Sequence, residues 1–361
     1  MKKNTSSETK ASIFHTSVFI IALLALLAVL VFSVLAAVTF GNADLSVGEV
    51  YRVIAYELFH IDSLSAYGEG PIHDVVWLIR LPRVLLALGV GMGLSVCGVV
   101  MQAIVKNPLA DPYILGVSSG ATLGATAAIM LGIGSFLGGA SVGMMAFFGA
   151  IIASFAAMYI SNLGGKATSG KLILAGTAVS SVCSAFSSFI LYITNDNSAT
   201  AQVTFWTMGS LAGADWAGIR VILPVILVCS LFFWSQFRNL NLMLLGDDVS
   251  ITLGADLHRV RTGYLLICAL MVGFAVYSAG MIGFVGLIIP HVIRILFGTD
   301  HRRLVPLAAL LGSIFLIWSD VLCRVILKNA EIPIGILVSL IGAPCFIYLL
   351  ISRSYGFGGR K

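Results

Sequence analysis

The sequence predicts an all-α polytopic membrane protein, and three observations lead to this prediction. Ala, Val, Ile, Leu, Met, Phe, Trp, Tyr and Cys make up 59% of the chain, whereas Asp, Glu, Lys and Arg make up only 10%. The mean hydropathy is +1.02. Because a soluble domain carries about 25% charged residues, this chain has too few to cover a water-exposed globule. Its 361 residues accommodate about ten helical spans of ~20 residues each and leave little for a soluble domain.

The spans follow from the apolar runs. Residues 13–40 form a run that is longer than the apolar region of a cleavable signal, so we expect an uncleaved first span. Residues 112–165 and 262–293 lack charge but are too long for one helix each; Gly and Ser residues divide the former, and Ala279-Gly280 divides the latter. The predicted spans are Ile13–Phe40, Val84–Val105, Tyr113–Leu131, Met144–Ile160, Leu172–Asn195, Val221–Phe237, the two halves of Thr262–Ile293, Leu304–Ser319 and Pro333–Ser352.

The distribution of positive charge predicts the orientation of these spans. Ten spans put both termini on one side, and with that side cytoplasmic, 15 of the 21 Lys and Arg residues lie on it, as the positive-inside rule requires. Residues 1–12 are then a cytoplasmic tail. This distribution explains the net charge of +5 without a nucleic-acid partner. The basic residues left on the outer face are Arg52, Arg80, Arg83, Arg220, Arg324 and Lys328.

One cytoplasmic turn has the spacing of a phosphate-binding loop. The run from Gly165 to Lys171 matches G-x-x-x-x-G-K, but Leu172 stands where a Ser or Thr would hold magnesium. The run also follows no predicted strand and leads into a span. We therefore interpret it as a turn with positive-inside lysines, so any nucleotide energy must come from another chain.

The predicted spans contain few ionisable groups. Asp320 is the clear exception, and it lies four residues before Arg324, a spacing that favours a local helix pair. The six His residues lack paired ligand spacing and the six Cys residues lie singly in apolar runs, so no metal site or disulfide is predicted. Ion-coupled carriers usually contain buried acids or histidines in a relay. An intramembrane enzyme would need a nucleophile with a base, or a metal triad, and neither pattern is present.

The loop at residues 240–261 differs from the other cytoplasmic loops. Asp247 and Asp248 suit the start of a short helix, and Gly254 suits its end. The apolar residues of this helix, Leu245, Val249 and Leu253, recur at every fourth position and so share one face. We expect that face either to dock on a partner or to lie on the lipid surface.

Several motifs resemble one family, the FecCD/BtuC-type permeases of bacterial ATP-binding-cassette (ABC) importers. The resemblance covers residues 45–351, with the motifs in the family's order. It implies a BtuC-like fold of ten helices, with both termini cytoplasmic, in a single transmembrane domain of the bacterial inner membrane. The matching motifs are Arg80-Leu81-Pro82-Arg83, Asn107-Pro108-Leu109-Ala110-Asp111-Pro112, Gly283 to Arg294, Asp300-His301-Arg302-Arg303, Glu331-Ile332-Pro333-Ile334-Gly335 and Gly342-Ala343-Pro344.

The resemblance also implies roles for particular residues. The segment 246–254 is similar to the family's coupling loop for the ATPase subunit, with Ser250 in place of the usual Ala. The implied coupling residues are Gly246, Asp247, Asp248, Ser250, Leu253 and Gly254. The implied cytoplasmic gate is Asn107, Leu109, Ser169 and Gly170, and the implied docking residues for a substrate-binding protein are the outward arginines Arg80, Arg83 and Arg324.

The expected function is therefore transport rather than catalysis. We expect a permease subunit that imports a ferric siderophore, with haem or cobalamin as alternatives and an ion-coupled secondary transporter as the rival class. The expected partners are a second permease subunit, like or unlike, two ATPase subunits that use ATP and Mg²⁺, an extracytoplasmic binding protein and lipid. The permease itself is expected to need no cofactor. The outer loop 41–79 should contain a surface helix, since Val47, Val50, Tyr51, Ile54 and Leu58 have helical spacing.

Overall fold

The structure is a computed structural model that describes residues 4–41, 43–163, 168–246, 250, 252, 257–327 and 330–352. The described residues form helices and turns, with no strand among them. The helices used below are α1 (Asn4–Thr39), α2 (Val47–Phe59), α3 (Leu81–Val105), α4 (Val117–Leu131), α5 (Ser141–Asn162), α6 (Ser169–Thr194), α7 (Asn197–Thr207), α8 (Trp216–Ser235), α9 (Phe237–Leu245), α10 (Leu257–Ala279), α11 (Val285–Phe297), α12 (His301–Val325) and α13 (Ile334–Ser352).

Each of the ten segments that the sequence predicts to span a membrane overlaps one of these helices, with bounds that differ by several residues in some cases. Within the described residues, seven helices are long and apolar enough to cross a bilayer: α1, α3, α5, α6, α8, α10 and α12. Three more are apolar but shorter: α4, α11 and residues 334–348 of α13. The short helices α4 and α11 adjoin irregular backbone inside the bundle. The predicted break after Ala279 is confirmed, because α10 ends there and α11 begins at Val285.

Helix α3 lies at the centre of the bundle, and most of its residues are buried. It packs against α8, α10, α11 and α12. Small residues permit this close packing: a Cβ added to Gly98 would overlap the Gly286 carbonyl of α11, and one added to Gly91 would overlap the Gly312 carbonyl of α12. Backbones approach this closely in membrane bundles only where side chains are absent.

The loop from residue 41 to 79 contains the predicted surface helix, α2. A capping box begins it: the Ser46 hydroxyl accepts from the Glu49 backbone N–H, and the Glu49 carboxylate accepts from the Ser46 N–H at 2.8 Å. Val50 and Val53 are fully buried on one side of α2. The helix is tied to the end of α1, since the Tyr51 hydroxyl donates to the Leu35 carbonyl at 3.1 Å.

Candidate functional site

The predicted site residues that the structure describes lie at the two ends of α3, which has 25 residues and is therefore about 37 Å long. The predicted docking residues Arg80, Arg83 and Arg324 mark one end, called the arginine end below. The predicted gate residues Asn107 and Leu109 follow the other end of α3, called the gate end.

The described part of the coupling loop lies next to the gate end. Gly246 follows α9 with φ of +104°, and a Cβ built on it would be 3.9 Å from Lys106 Nζ. Ser250 is 1% exposed, and its hydroxyl donates to the carbonyls of Leu242 at 3.0 Å and Gly246 at 2.7 Å. A small residue at 250 therefore fits its packed position. The other predicted coupling residues, Asp247, Asp248, Leu253 and Gly254, lie outside the described residues.

The predicted gate residues Asn107 and Leu109 form a tight turn at the end of α3. Lys106 ends α3 in the left-handed region with φ of 57°. The Asn107 side-chain oxygen accepts from the Leu109 N–H at 2.9 Å, and the Asn107 carbonyl accepts from the Ala110 N–H at 3.0 Å. Asn107 therefore fixes the shape of the turn by folding its side chain over its own backbone.

The second pair of predicted gate residues begins α6. The Ser169 hydroxyl donates to the Ile104 carbonyl of α3 at 3.4 Å, so the structure brings Ser169 to the same end of α3 as Asn107. A Cβ added to Gly170 would meet no atom within 4 Å. Thr168 caps this helix by accepting from the Lys171 N–H at 3.3 Å. The described part of the phosphate-loop-like run thus serves as a helix start.

The three predicted docking arginines are buried in this chain, where each has partners within the chain itself. Arg80, Arg83 and Arg324 are 3%, 5% and 4% exposed. Arg83 pairs with Asp320 of α12 and with Glu331, both at 2.8 Å. Arg324 pairs with Asp320 at 3.1 Å, which confirms the pair predicted from their spacing. Binding-protein docking by these arginines stays a prediction.

Arg80 and Arg324 instead bind the carbonyl groups at the end of α1. Arg80 donates to the carbonyls of Val38, Thr39 and Ala43 at 3.2, 3.0 and 2.7 Å. Arg324 donates to the Phe40 carbonyl at 2.8 Å. The last carbonyls of a helix have no partner within it and carry partial negative charge. The two guanidinium groups therefore cap α1 and hold it against α3 and α12.

The sequence analysis missed a contact between the two irregular segments inside the bundle. The Tyr113 hydroxyl donates to the Ile282 carbonyl at 3.2 Å and lies 3.4 Å from the Ile282 N–H. Tyr113 follows the turn at residues 107–110, called the gate turn below, and Ile282 lies in the break between α10 and α11. Only the Ala279-Gly280 pair signalled the break in the sequence, and nothing near Tyr113 indicated its partner 169 residues away.

Helix α6 exposes hydroxyl groups along one face. Thr177, Ser181, Ser184 and Ser188 are exposed and recur at intervals of four, three and four residues. These four residues are called the hydroxyl face of α6. The Thr177 and Ser181 hydroxyls donate to the carbonyls four residues earlier, each at 3.0 Å. A lipid-facing helix would bear apolar residues at such positions.

The fold and these sites define a class, a multi-pass helical membrane protein with interrupted helices. The described residues contain no group of three or more His, Cys, Asp or Glu residues placed to hold a metal ion. The comparisons with known proteins identify this class further. The FecCD transport family matches residues 18–352. The chain therefore belongs to the FecCD family and is a multi-pass permease subunit of an ABC importer in the cytoplasmic membrane.

Individual relatives agree with this assignment. The ABC transporter permease protein YvrB of Bacillus subtilis is 38% identical over 90% of this chain and 91% of its own length. The haemin transport permease HmuU of Yersinia pestis is 40% identical over 77% of this chain and 84% of its own. The cobalamin import permease BtuC of Halobacterium salinarum is 40% identical over 77% of this chain and 74% of its own.

A solved structure shares the fold. It is described as an inward-facing conformation of a metal-chelate type ABC transporter, and its sequence is 31% identical to this chain. The match covers 92% of this chain and 99% of the other, with a TM-score of 0.77. The predicted BtuC-type permease fold is therefore supported along nearly the whole chain.

Proposed function

We propose that this permease imports a metal chelate, with a ferric siderophore as the first candidate cargo. The observation that carries the proposal is the fold match, over nearly the full length of both chains, to a protein described as a metal-chelate type transporter. Haem and cobalamin are the alternative cargoes, because relatives named for haemin and for cobalamin are both 40% identical to this chain. All three cargoes are large, rigid chelates.

The pathway is proposed to run along the hydroxyl face of α6, where a second permease subunit would cover it. The face has no charged side chain between Thr177 and Ser188. Neutral hydroxyl groups tolerate water but bind no chelate strongly, and conduction requires a site that the cargo can leave. Pairing with a like or unlike permease removes these hydroxyls from lipid and encloses a polar passage.

The energy is proposed to come from two ATPase subunits that dock on the coupling loop. This is supported by the position of Gly246, the first residue of the segment 246–254, near Lys106 at the gate end, where a Cβ built on Gly246 would be 3.9 Å from Lys106 Nζ. Nucleotide-driven closure of the ATPase subunits would displace the loop and shift the gate as a rigid-body step. ATP and Mg²⁺ are then used by the partner chains.

The topology is proposed to comprise ten spans with both termini in the cytoplasm. The three shorter apolar helices would join the seven long ones, two of them reaching across with their adjoining irregular segments. The gate end then faces the cytoplasm and the arginine end faces outwards, where a substrate-binding protein would dock. Arg80, Arg83 and Arg324 would reach that protein only by leaving their present partners.

One experiment tests the ATPase coupling. The Leu253→Asp variant should lose copurification with the ATPase subunit, whereas Leu163→Asp, which places the same charge at an exposed apolar position at the end of α5, should retain it. Unchanged copurification and uptake in Leu253→Asp, or in a chain lacking residues 247–254, would contradict the assignment. Uptake that survives loss of the ATPase and collapses with an uncoupler would support the rival ion-coupled transporter.

A second experiment tests the cargo. Vesicles that contain the assembled transporter and its binding protein are offered a labelled ferric hydroxamate siderophore in competition with haemin or cyanocobalamin. We expect the siderophore to be taken up and the two others to compete weakly. If haemin or cyanocobalamin were taken up more strongly, that compound would be the cargo instead of the siderophore. The assignment as a permease would be unaffected.

A further inference from the structure

We propose that the break between α10 and α11 is a mechanical joint, which Tyr113 connects to the gate turn. The proposal rests on the proposed function, because it assigns the joint a place in the coupling of ATP hydrolysis to gating. The joint is defined as residues 280–284 together with the three side chains that hold them, Tyr113, Ser118 and Thr122.

Three hydroxyl groups from one part of the chain contact two adjacent residues of the break. The Tyr113 hydroxyl bonds both backbone groups of Ile282, with the carbonyl at 3.2 Å and the nitrogen at 3.4 Å. The Ser118 and Thr122 hydroxyls, one turn apart on α4, lie 2.7 and 3.5 Å from Met281 Sδ. Irregular backbone at membrane depth needs partners within the protein, and Tyr113 supplies both partners for Ile282.

The centre of the joint lies inside the bundle, whereas Met281, Gly283 and Phe284 are partly exposed. Ile282 is 1% exposed. A Cβ added to Gly286, at the start of α11, would be 2.6 Å from Pro112 Cγ and 2.8 Å from the carbonyl of Leu94, which is midway along α3. The residue before Tyr113 and the residues after the break therefore meet beside the middle of α3.

The backbone of the break is strained at one residue. Phe284 has φ of 65°, in the left-handed region that residues other than Gly seldom adopt. Gly280 has φ of 65° as well, which Gly adopts without strain. Strained residues persist where the surrounding structure holds them, and they concentrate at segments that switch. The two left-handed residues bracket the segment that Tyr113, Ser118 and Thr122 contact.

The joint links the two segments that coupling must connect. On one side, α10 begins at Leu257, three residues after the coupling segment 246–254 ends, and its 23 residues extend about 34 Å to the break. On the other side, Asp111 lies four residues after Asn107 of the gate turn. Its carboxylate accepts from the Tyr113 N–H at 2.8 Å. The Tyr113 hydroxyl is therefore one link, besides the packing of α10 on α3, by which a displacement of α10 reaches the gate turn.

The role of Tyr113 is positional, and its test uses a readout that needs no cargo. Leu109→Cys serves as a reporter in a chain whose partly exposed Cys183, Cys229 and Cys345 are changed to alanine. The chain is purified with its ATPase subunits, and the reaction rate of the reporter with a water-soluble maleimide is measured with and without ATP and vanadate. In the chain with Tyr113 intact, we expect nucleotide to change this rate.

Tyr113→Phe removes only the hydroxyl, which makes two hydrogen bonds, so we expect it to reduce the nucleotide-dependent change by at least roughly fivefold, the effect of losing one such bond. The ATPase should still copurify with this variant. The matched control is Tyr264→Phe, which also removes a largely buried hydroxyl, one bonded to Gln236 at 3.0 Å and to Asn239 at 3.3 Å, outside the joint. Met281→Leu removes the sulfur acceptor at similar volume and should act in the same direction as Tyr113→Phe.

Three outcomes would overturn the joint. The first is an equal nucleotide response with and without the Tyr113 hydroxyl, and the second is an equal loss of response in Tyr264→Phe. The third is a chain that retains the ATPase but whose reporter never responds to nucleotide even with Tyr113 present. These three outcomes would leave the proposed function intact. If the unaltered chain bound no ATPase subunit, by contrast, both the proposed function and the joint would be overturned.

Discussion

Arg83 and Asp320 form an ion pair inside the protein, with Arg83 Nε 2.8 Å from Asp320 Oδ1 and 6% and 1% of the two side chains exposed. The pair joins α3 to α12 at the arginine end. Arg324 shares the same carboxylate, and Glu331 binds the other side of Arg83. Asp320 is therefore the buried negative charge on which two buried guanidinium groups depend.

Loss of the Asp320 charge should destabilise the protein strongly. Asp320→Asn leaves Arg83 and Arg324 buried with too little negative charge, and removing one partner of a buried ion pair costs about 3–5 kcal/mol. Glu331→Gln is the control, because Glu331 is 40% exposed and an exposed pair is worth about 0.2–1 kcal/mol. Unfolding in detergent measures both. Equal changes in the free energy of unfolding would contradict the central role of Asp320.

Gly98→Ala and Gly263→Ala should change the free energy of unfolding in opposite directions. A Cβ on Gly98 would overlap the Gly286 carbonyl, so Gly98→Ala should force α3 and α11 apart and destabilise by about 1–3 kcal/mol. A Cβ on Gly263 in α10 would meet no atom within 4 Å, and alanine there should stabilise the helix by up to ~1 kcal/mol. The unfolding free energies of the two variants test the close packing of α3 on α11, and destabilisation by both would argue against it.

The backbone amides in the first turn of α2 should be less protected from hydrogen exchange in acid. The hydrogen bonds from the Ser46 hydroxyl and backbone N–H lower the pKa of Glu49 below its usual value. Because the lowered pKa favours the carboxylate in the folded state, the capping box stabilises α2 at neutral pH, and this contribution is lost as the pH falls through the lowered pKa. Amide-exchange protection in the first turn of α2 should therefore fall below about pH 4.

Glu49→Gln is the control for this pH dependence, because glutamine also completes a capping box but does not ionise in this range. Protection of α2 in Glu49→Gln should be independent of pH between neutral and acid conditions. The same acid-induced loss in both proteins would assign the effect to another group.

The hydroxyl face of α6 predicts which substitutions block transport. Ser184→Leu places a bulky apolar side chain on that face and should reduce uptake at least several-fold. Ala185→Leu adds a similar bulk to the next residue, which is exposed on a different side of α6, and should reduce uptake less. The two variants should unfold alike. Uptake is measured in vesicles with the ATPase and binding protein present. Equal uptake by the two variants would contradict a pathway along this face.

Much of the fold could be predicted from the sequence because its signals are local. Apolar length located the helices, Ala279-Gly280 located the break, and the four-residue spacing of Asp320 and Arg324 predicted their pair. These features depend on neighbours along the chain. The helical spacing between Val47 and Leu58 likewise predicted α2.

The features that sequence reasoning missed depend on partners far along the chain. The family resemblance implied outward-facing arginines at 80, 83 and 324, and the sequence indicated only the Asp320–Arg324 pair among their buried contacts. Arg83 instead finds Asp320 and Glu331, 237 and 248 residues later, and Tyr113 finds Ile282 169 residues later. Spacing within a segment cannot indicate such partners. The coupling residues Asp247, Asp248, Leu253 and Gly254 lie outside the described residues, so their role stays a prediction.

Arg80→Lys separates the capping of α1 from a docking role. The substitution keeps the charge, but a lysine ammonium cannot reproduce the fork by which Arg80 reaches the carbonyls of Val38, Thr39 and Ala43. If Arg80 caps α1, Arg80→Lys should destabilise the protein by about 2 kcal/mol, since a hydrogen bond from a charged donor is worth about 1.5–3 kcal/mol.

The exposed Arg220 supplies the control, and Arg220→Lys should leave the unfolding midpoint unchanged. If Arg80 contributes only charge to docking, the two variants should unfold alike, and both should retain binding-protein affinity at low salt, where exposed charges are least screened.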